Sequence, residues 1–138
     1  MRISTIVAAL TSAIAVSALP TASSLVSRIE TCDKSPSDGR AATLFKQQNL
    51  IGENVATDYT PLPADSGCID MSSFFGNWEG KTRSLVVNAG FKCEFYTEFK
   101  CPADCPKLAL GSKTAQALQK TLPEAFDERI YSAKCTKF

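Results

Sequence analysis

Short apolar runs alternate with turn residues along most of this chain. The runs are 42-ATLF-45, 68-CIDM-71, 84-SLVV-87, 91-FKCEFY-96, 108-LAL-110 and 130-IYSAKC-135. Between them fall Ser37-Asp38-Gly39, Pro61 to Gly67, Gly76-Asn77, Asn88-Ala89-Gly90 and Pro102 to Pro106. Strands separated by such turns predict a small all-β sandwich. One segment reads differently. In 112-SKTAQALQKTL-122 a capping serine, helix formers and a following Pro123 predict a short helix or helical turn.

The strand pattern is written twice. Displacing 42-ATLFKQQNLIG-52 by 51 residues sets Leu44 on Phe95, Phe45 on Tyr96 and Leu50 on Cys101. Setting Ser84 on Ser132 brings Trp78 over Phe126, Glu79 over Asp127 and Lys81 over Arg129. Each half thus opens on an aromatic and closes on an aromatic, acidic, basic and serine series. A unit of that size with four short strands suits one antiparallel Greek key, and two such units can bury their apolar faces against each other.

The amino end changes the compartment. Met1-Arg2 precedes 6-IVAALTSAIAVSA-18, and no further charge occurs before Arg28. A basic start, an apolar stretch and small residues at Val16 and Ala18 predict a signal peptide over 1–18. The apolar run is short and interrupted by Thr11, Ser12 and Ser17, which speaks against a stable membrane anchor. Residues 19–31 read as a flexible lead, and 32–138 as one domain with its first motif at about 41–88 and its second at about 89–138. Removing Arg2 leaves 14 basic and 14 acidic residues, a balance that offers no electrostatic footprint for nucleic acid.

Six cysteines lie beyond the leader: Cys32, Cys68, Cys93, Cys101, Cys105 and Cys135. In an oxidising compartment an even number predicts three disulfides, whose connectivity spacing alone does not choose. The chain has no histidine and no Cys-x-x-Cys pair, so a zinc site is disfavoured. A hairpin turning at Thr97 sets Cys93 opposite Cys101 and makes them a candidate pair, with Cys105 as a competitor.

At this point the chain resembles a known family. The run 42-ATLFKQQNLIGENV-55 is similar to the opening of a βγ-crystallin Greek-key motif, 84-SLVVNAGFKCEFYTEFKC-101 to its serine-bearing strand leading into the next motif, and 126-FDERIYSAKC-135 to the closing strand. Gly90, Cys93, Tyr96 and Cys101 further resemble small secreted cysteine-rich members from filamentous fungi, of effector or antimicrobial type. Ala103 in place of a glycine, the insertion at 54–67 and the helical character of 112–122 depart from the pattern. The resemblance implies a disulfide-stabilised double Greek-key β-sandwich. It also implies an effector-like protein that binds an unknown extracellular protein or cell-surface target. A membrane-active antimicrobial toxin and a secreted hydrolase inhibitor are the alternatives.

The resemblance also raises calcium, through a signature of paired acidic or amide residues followed by hydroxyl residues. The second motif supplies Asp127, Glu128 and Ser132, with Tyr131 at a ligand position. The first motif places Arg83 at that position and Lys81 two residues earlier, which is hostile to a cation. The bland reading has Ser84 and Ser132 pinning folded hairpins and Asp127 and Glu128 capping a turn. No cofactor is otherwise expected. Without histidine the familiar nucleophile triads are excluded, and nothing places two of Asp65, Asp70, Glu94, Glu98, Asp127 and Glu128 together for glycoside hydrolysis, so no catalytic residue is assigned. Phe74, Phe75 and Trp78 crowd 72-SSFFGNWEGK-81, where Trp78 is expected in the core. Phe74 and Phe75, together with Tyr59 on the 54–67 insertion, form the candidate contact surface.

Overall fold

A computed structural model describes residues 38–138. The expected signal peptide at 1–18, the lead at 19–31 and Cys32 lie outside the described residues.

Eight strands run in chain order: β1 (Arg40–Phe45), β2 (Tyr59–Pro63), β3 (Gly67–Asp70), β4 (Ser84–Val87), β5 (Phe91–Tyr96), β6 (Lys107–Ser112), β7 (Ala117–Gln119) and β8 (Ser132–Lys137). They form two four-stranded sheets ordered β2-β1-β4-β7 and β3-β8-β5-β6, with every named pairing antiparallel. The first four strands and the last four build matching units. Three strands of each unit share a sheet, and the third in sequence (β3 or β7) crosses to the sheet of the other unit. That exchange interlocks the two Greek keys.

Alternation explains which faces meet. In β5, Cys93 and Phe95 are fully buried while Lys92 points outward; in β8, Ala133 and Cys135 are buried while Lys134 and Thr136 are exposed. From the other sheet come Leu44, Leu62, Leu85 and Val87, and loops add Met71, Trp78, Leu122 and Ile130. Trp78 is a core residue, as expected of a large aromatic here.

The duplication holds at the level of single bonds. Phe45 and Tyr96 each end a strand, and each carbonyl accepts a backbone N–H from the closing segment of its own unit, Arg83 at 2.9 Å and Tyr131 at 2.9 Å. Beyond each lies a folded turn with two consecutive left-handed residues, Asn49 and Leu50 in one unit, Lys100 and Cys101 in the other. A buried serine pins each turn. The Ser84 hydroxyl donates to the Gln47 carbonyl (2.5 Å) and accepts from the Leu50 N–H (3.0 Å). The Ser132 hydroxyl donates to the Glu98 carbonyl (2.5 Å) and accepts from the Cys101 N–H (2.9 Å).

Two expectations about local structure fail. The segment 112–122 holds no helix: it finishes β6, turns, and forms β7 against β4. Ser112 does accept backbone N–H groups from Thr114 and Ala115, yet the turn it closes leads into strand pairing. A short helix with no apolar stripe is marginal, and pairing with the buried β4 satisfies more of the backbone. The stretch 54–67 is not a free insertion loop either. Its second half is β2, an edge strand in which Pro61 and Pro63 are tolerated because one backbone edge has no partner.

Candidate functional site

The two closing segments, 78–84 and 126–132, face each other across the pseudo-twofold axis. Gly80 donates its N–H to the Ile130 carbonyl (3.2 Å), and Glu128 donates its N–H to the Thr82 carbonyl (3.0 Å). Gly80 and Glu128 are equivalent positions with matching left-handed φ values of 56° and 55°. A Cβ on Gly80 would lie 2.9 Å from the Glu128 carbonyl oxygen, so this close approach selects glycine on one side.

This junction carries the calcium signature residues. Asp127 is engaged with Arg83 of the other unit: Nε donates to Oδ1 at 3.3 Å and Nη2 to Oδ2 at 3.2 Å. Glu128 places Oε1 3.9 Å from the same guanidinium. The carboxylate hydrogen bond and the nearby negative charge hold the arginine further above its already high pKa. Ser132, the third signature residue, is fully buried and pinned in its folded turn. At the position equivalent to Arg83 stands Tyr131. Its ring packs edge-on to Phe99 with centroids 5.1 Å apart, and its hydroxyl lies 3.3 Å from where a Gly80 Cβ would be. The residues present therefore do not fit a calcium site. Among the described residues no cluster of three acidic or cysteine side chains could hold a metal ion.

Glu94, Asp65 and Asp70 are also engaged. Glu94 lies 2.9 Å from Lys107 and accepts a 2.9 Å bond from the Tyr96 hydroxyl. The lysine ammonium first, and the phenol second, hold its pKa below the usual carboxylate range. Asp65 accepts the Lys137 N–H and Asp70 the Lys100 N–H.

The cysteines pair differently from the hairpin reading. Cys93 bonds Cys135 and Cys68 bonds Cys101, so the Cys93–Cys101 pair is incorrect. The chain beyond Tyr96 folds into the serine-pinned turn rather than continuing a hairpin, and β8 lies directly opposite β5. Cys93 and Cys135 are register partners with Cα atoms 4.1 Å apart. Among the described residues Cys105 is the remaining cysteine, half-buried in the loop before β6. Two disulfides fit an oxidising environment.

The candidate contact surface divides. Phe74 packs against the core, and Tyr59 begins β2 with its ring 5.9 Å from that of Phe45. Phe75 is 87% exposed at the tip. Its backbone is held firmly: Gly76, at φ +100°, sits so close to Ala56 that a Cβ would lie 2.0 Å from the Ala56 oxygen. The Trp78 indole N–H donates to that oxygen at 3.0 Å, and Lys46 donates to the Gly76 carbonyl at 2.5 Å while lying 4.8 Å from the Trp78 ring centroid. Val55, next to Ala56 in sequence, is 59% exposed, and Ile51 earlier in the same loop is 53% exposed. Val55 and Ile51 were not singled out from sequence, although apolar residues in a loop of Gly, Asn and Asp carry that signal. Among the described residues no helix is long and apolar enough to cross a membrane.

These features place the architecture among known proteins. No family model matches the chain, and no curated protein matches it. Solved structures do. A βγ-crystallin domain from Flavobacterium johnsoniae aligns with a TM-score of 0.56 at 14% identity, covering 70% of this chain and 94% of that one. A structure described under the evolution of the eye lens βγ-crystallin domain fold gives 0.57 at 17% identity, covering 76% and 94%. A βγ-crystallin domain from Clostridium beijerinckii gives 0.53 at 15% identity, covering 70% and 97%. The fold is thus that of a βγ-crystallin domain, all-β and built from two interlocked Greek keys.

Proposed function

We propose that this chain is a secreted binding module, effector-like in role, that engages an extracellular protein through the apolar tip at Phe75. The observation that carries the reading is a large aromatic left exposed on a backbone that is anything but loose. Glycine packing and an indole hydrogen bond fix the turn against Ala56, and Lys46 clamps the Gly76 carbonyl from the other side of the chain. A rigid apolar anchor loses little conformational entropy on binding and suits a protein pocket. Secretion is supported by the basic and apolar start of the sequence and by the disulfides.

Charge favours protein over lipid as the partner. Glu79 follows the tip in sequence, Glu53 and Asp58 flank the Ala56 backbone on which the tip packs, and Lys46 is turned onto Gly76 and Trp78 instead of outward. An anionic bilayer would be met by mostly acidic neighbours. The test is capture from extracellular fluid using the oxidised mature protein, with Phe75→Ser and Leu118→Ser compared in parallel. Leu118 is an exposed apolar residue on the edge strand β7 and serves as the control. A partner retained by wild type and by Leu118→Ser, but lost at least tenfold by Phe75→Ser (about 1.4 kcal/mol), supports the reading. Leakage of anionic vesicles by wild type, abolished by Phe75→Ser, replaces it with the membrane-active alternative. If the partner is a hydrolase whose activity falls on binding, the inhibitor reading gains.

A further inference from the structure

The inter-unit junction is independent of the tip and asks a different question: what holds two loops together where the fold's calcium signature would put a metal? On one side of the pseudo-twofold axis the guanidinium of Arg83 reaches across the units and takes both oxygens of Asp127. Glu128 approaches the same group. On the other side, the equivalent Tyr131 fills the space over Gly80 with a phenol ring braced by Phe99. One signature position therefore supplies a permanent cation and its twin supplies bulk. The two serines that complete the signatures are fully buried and spend their hydroxyls on the folded turns.

We propose that Arg83 is the resident cation of this junction, joining the two Greek keys through Asp127 and Glu128 in the role a divalent ion would otherwise fill. Geometry and charge argue together. A guanidinium stays charged at any ordinary pH and matches a carboxylate with two parallel donors. Calcium needs six to eight oxygens and is repelled by a fixed positive charge in contact with its carboxylates. The first motif's defective ligand position thus disables the second motif's better one, because the two belong to a single cross-unit arrangement. The sequence of either motif read separately does not reveal this.

The experiment compares thermal unfolding of the oxidised mature wild type, Arg83→Ser, Arg83→Lys and Arg83→Ser/Asp127→Asn, each in EDTA and in millimolar calcium chloride. The wild type is expected to give the same Tm in both. Arg83→Ser should unfold several degrees lower in EDTA and recover part of the loss with calcium, and adding Asp127→Asn should remove that recovery. Arg83→Lys keeps the charge and should remain indifferent to calcium, which maintains the test if the serine variant folds poorly. A wild-type Tm raised by calcium overturns the proposal. So does an Arg83→Ser protein that matches wild type in EDTA, or one that folds but gains nothing from calcium.

Discussion

The two sheets share a skeleton but are fastened by different means. All four cysteines in the observed disulfides belong to the β3-β8-β5-β6 side: Cys68 in β3, Cys93 in β5, Cys135 in β8, and Cys101 in the turn that follows β5. The β2-β1-β4-β7 sheet contains no cysteine and relies on packing, with Leu44, Leu62, Leu85 and Val87 buried almost completely. The covalent sheet can place lysines on its outer face and leave β6 half-exposed, because its centre is cross-linked. The aliphatic sheet must bury every residue of β4. One duplicated framework thus reaches a stable sandwich by two routes, and the routes make separable predictions.

The largest effect should follow removal of the central cross-link. In Cys93→Ala/Cys135→Ala the register pair loses its bond and a buried volume shrinks, so unfolding in urea should show a loss of about 2–4 kcal/mol. The same protein should still fold, since the opposite sheet is untouched. If reduction or this double substitution leaves the urea midpoint unchanged, the contrast between the two sheets is wrong.

The folded turns sharpen the comparison at single-atom scale. Ser84→Ala and Ser132→Ala each remove a buried hydroxyl that serves one carbonyl and one N–H, an expected cost of about 1–3 kcal/mol. The costs should not be equal. The turn under Ser132 contains Cys101, which is bonded to Cys68 on the neighbouring strand, so the disulfide still holds it when the hydroxyl is lost. The turn under Ser84 has no such tether. Ser84→Ala is expected to be the more destabilising, and reducing the protein should bring the two closer together. Equal losses under oxidising conditions would deny the disulfide any part in holding the turn.

How much of this was legible beforehand depends on whether the signal was local. Six of the eight strands announce themselves as apolar runs, and the 51-residue displacement aligns Phe45 with Tyr96 as the fold does. The exceptions were β2, hidden by its prolines, and β7, whose pairing came from a distant strand. The prolines of YTPLP hid an edge strand, and Ala117-Leu118-Gln119 looked helical until β4 supplied its partner. The disulfides were misread for the same reason: spacing sees Cys93 and Cys101 as near neighbours, while register sets Cys93 against a residue 42 positions away. At the junction, the sequence showed that Arg83 is a poor metal ligand. It could not show which carboxylate that arginine takes, because the bond crosses from one repeat to the other.

The smallest predicted effect concerns a place where the repeat puts a buried polar atom opposite an apolar one. Thr82 and Ile130 are equivalent positions, each fully buried beside the paired loops. Ile130 presents only hydrocarbon to the core. The Thr82 hydroxyl is buried and makes no hydrogen bond. Desolvating a hydroxyl without a partner costs free energy that the methyl of valine would not, and the two side chains have nearly the same shape. Thr82→Val should therefore stabilise the domain by about 1 kcal/mol, seen as a higher urea midpoint with an unchanged slope. The backbone carbonyl of Thr82, which accepts from Glu128, is left in place by this change, so the junction itself is not disturbed. A Thr82→Val protein less stable than wild type would mean that the hydroxyl has a partner after all, and that the two units differ at this position by design of a polar contact rather than by tolerance of an unsatisfied one.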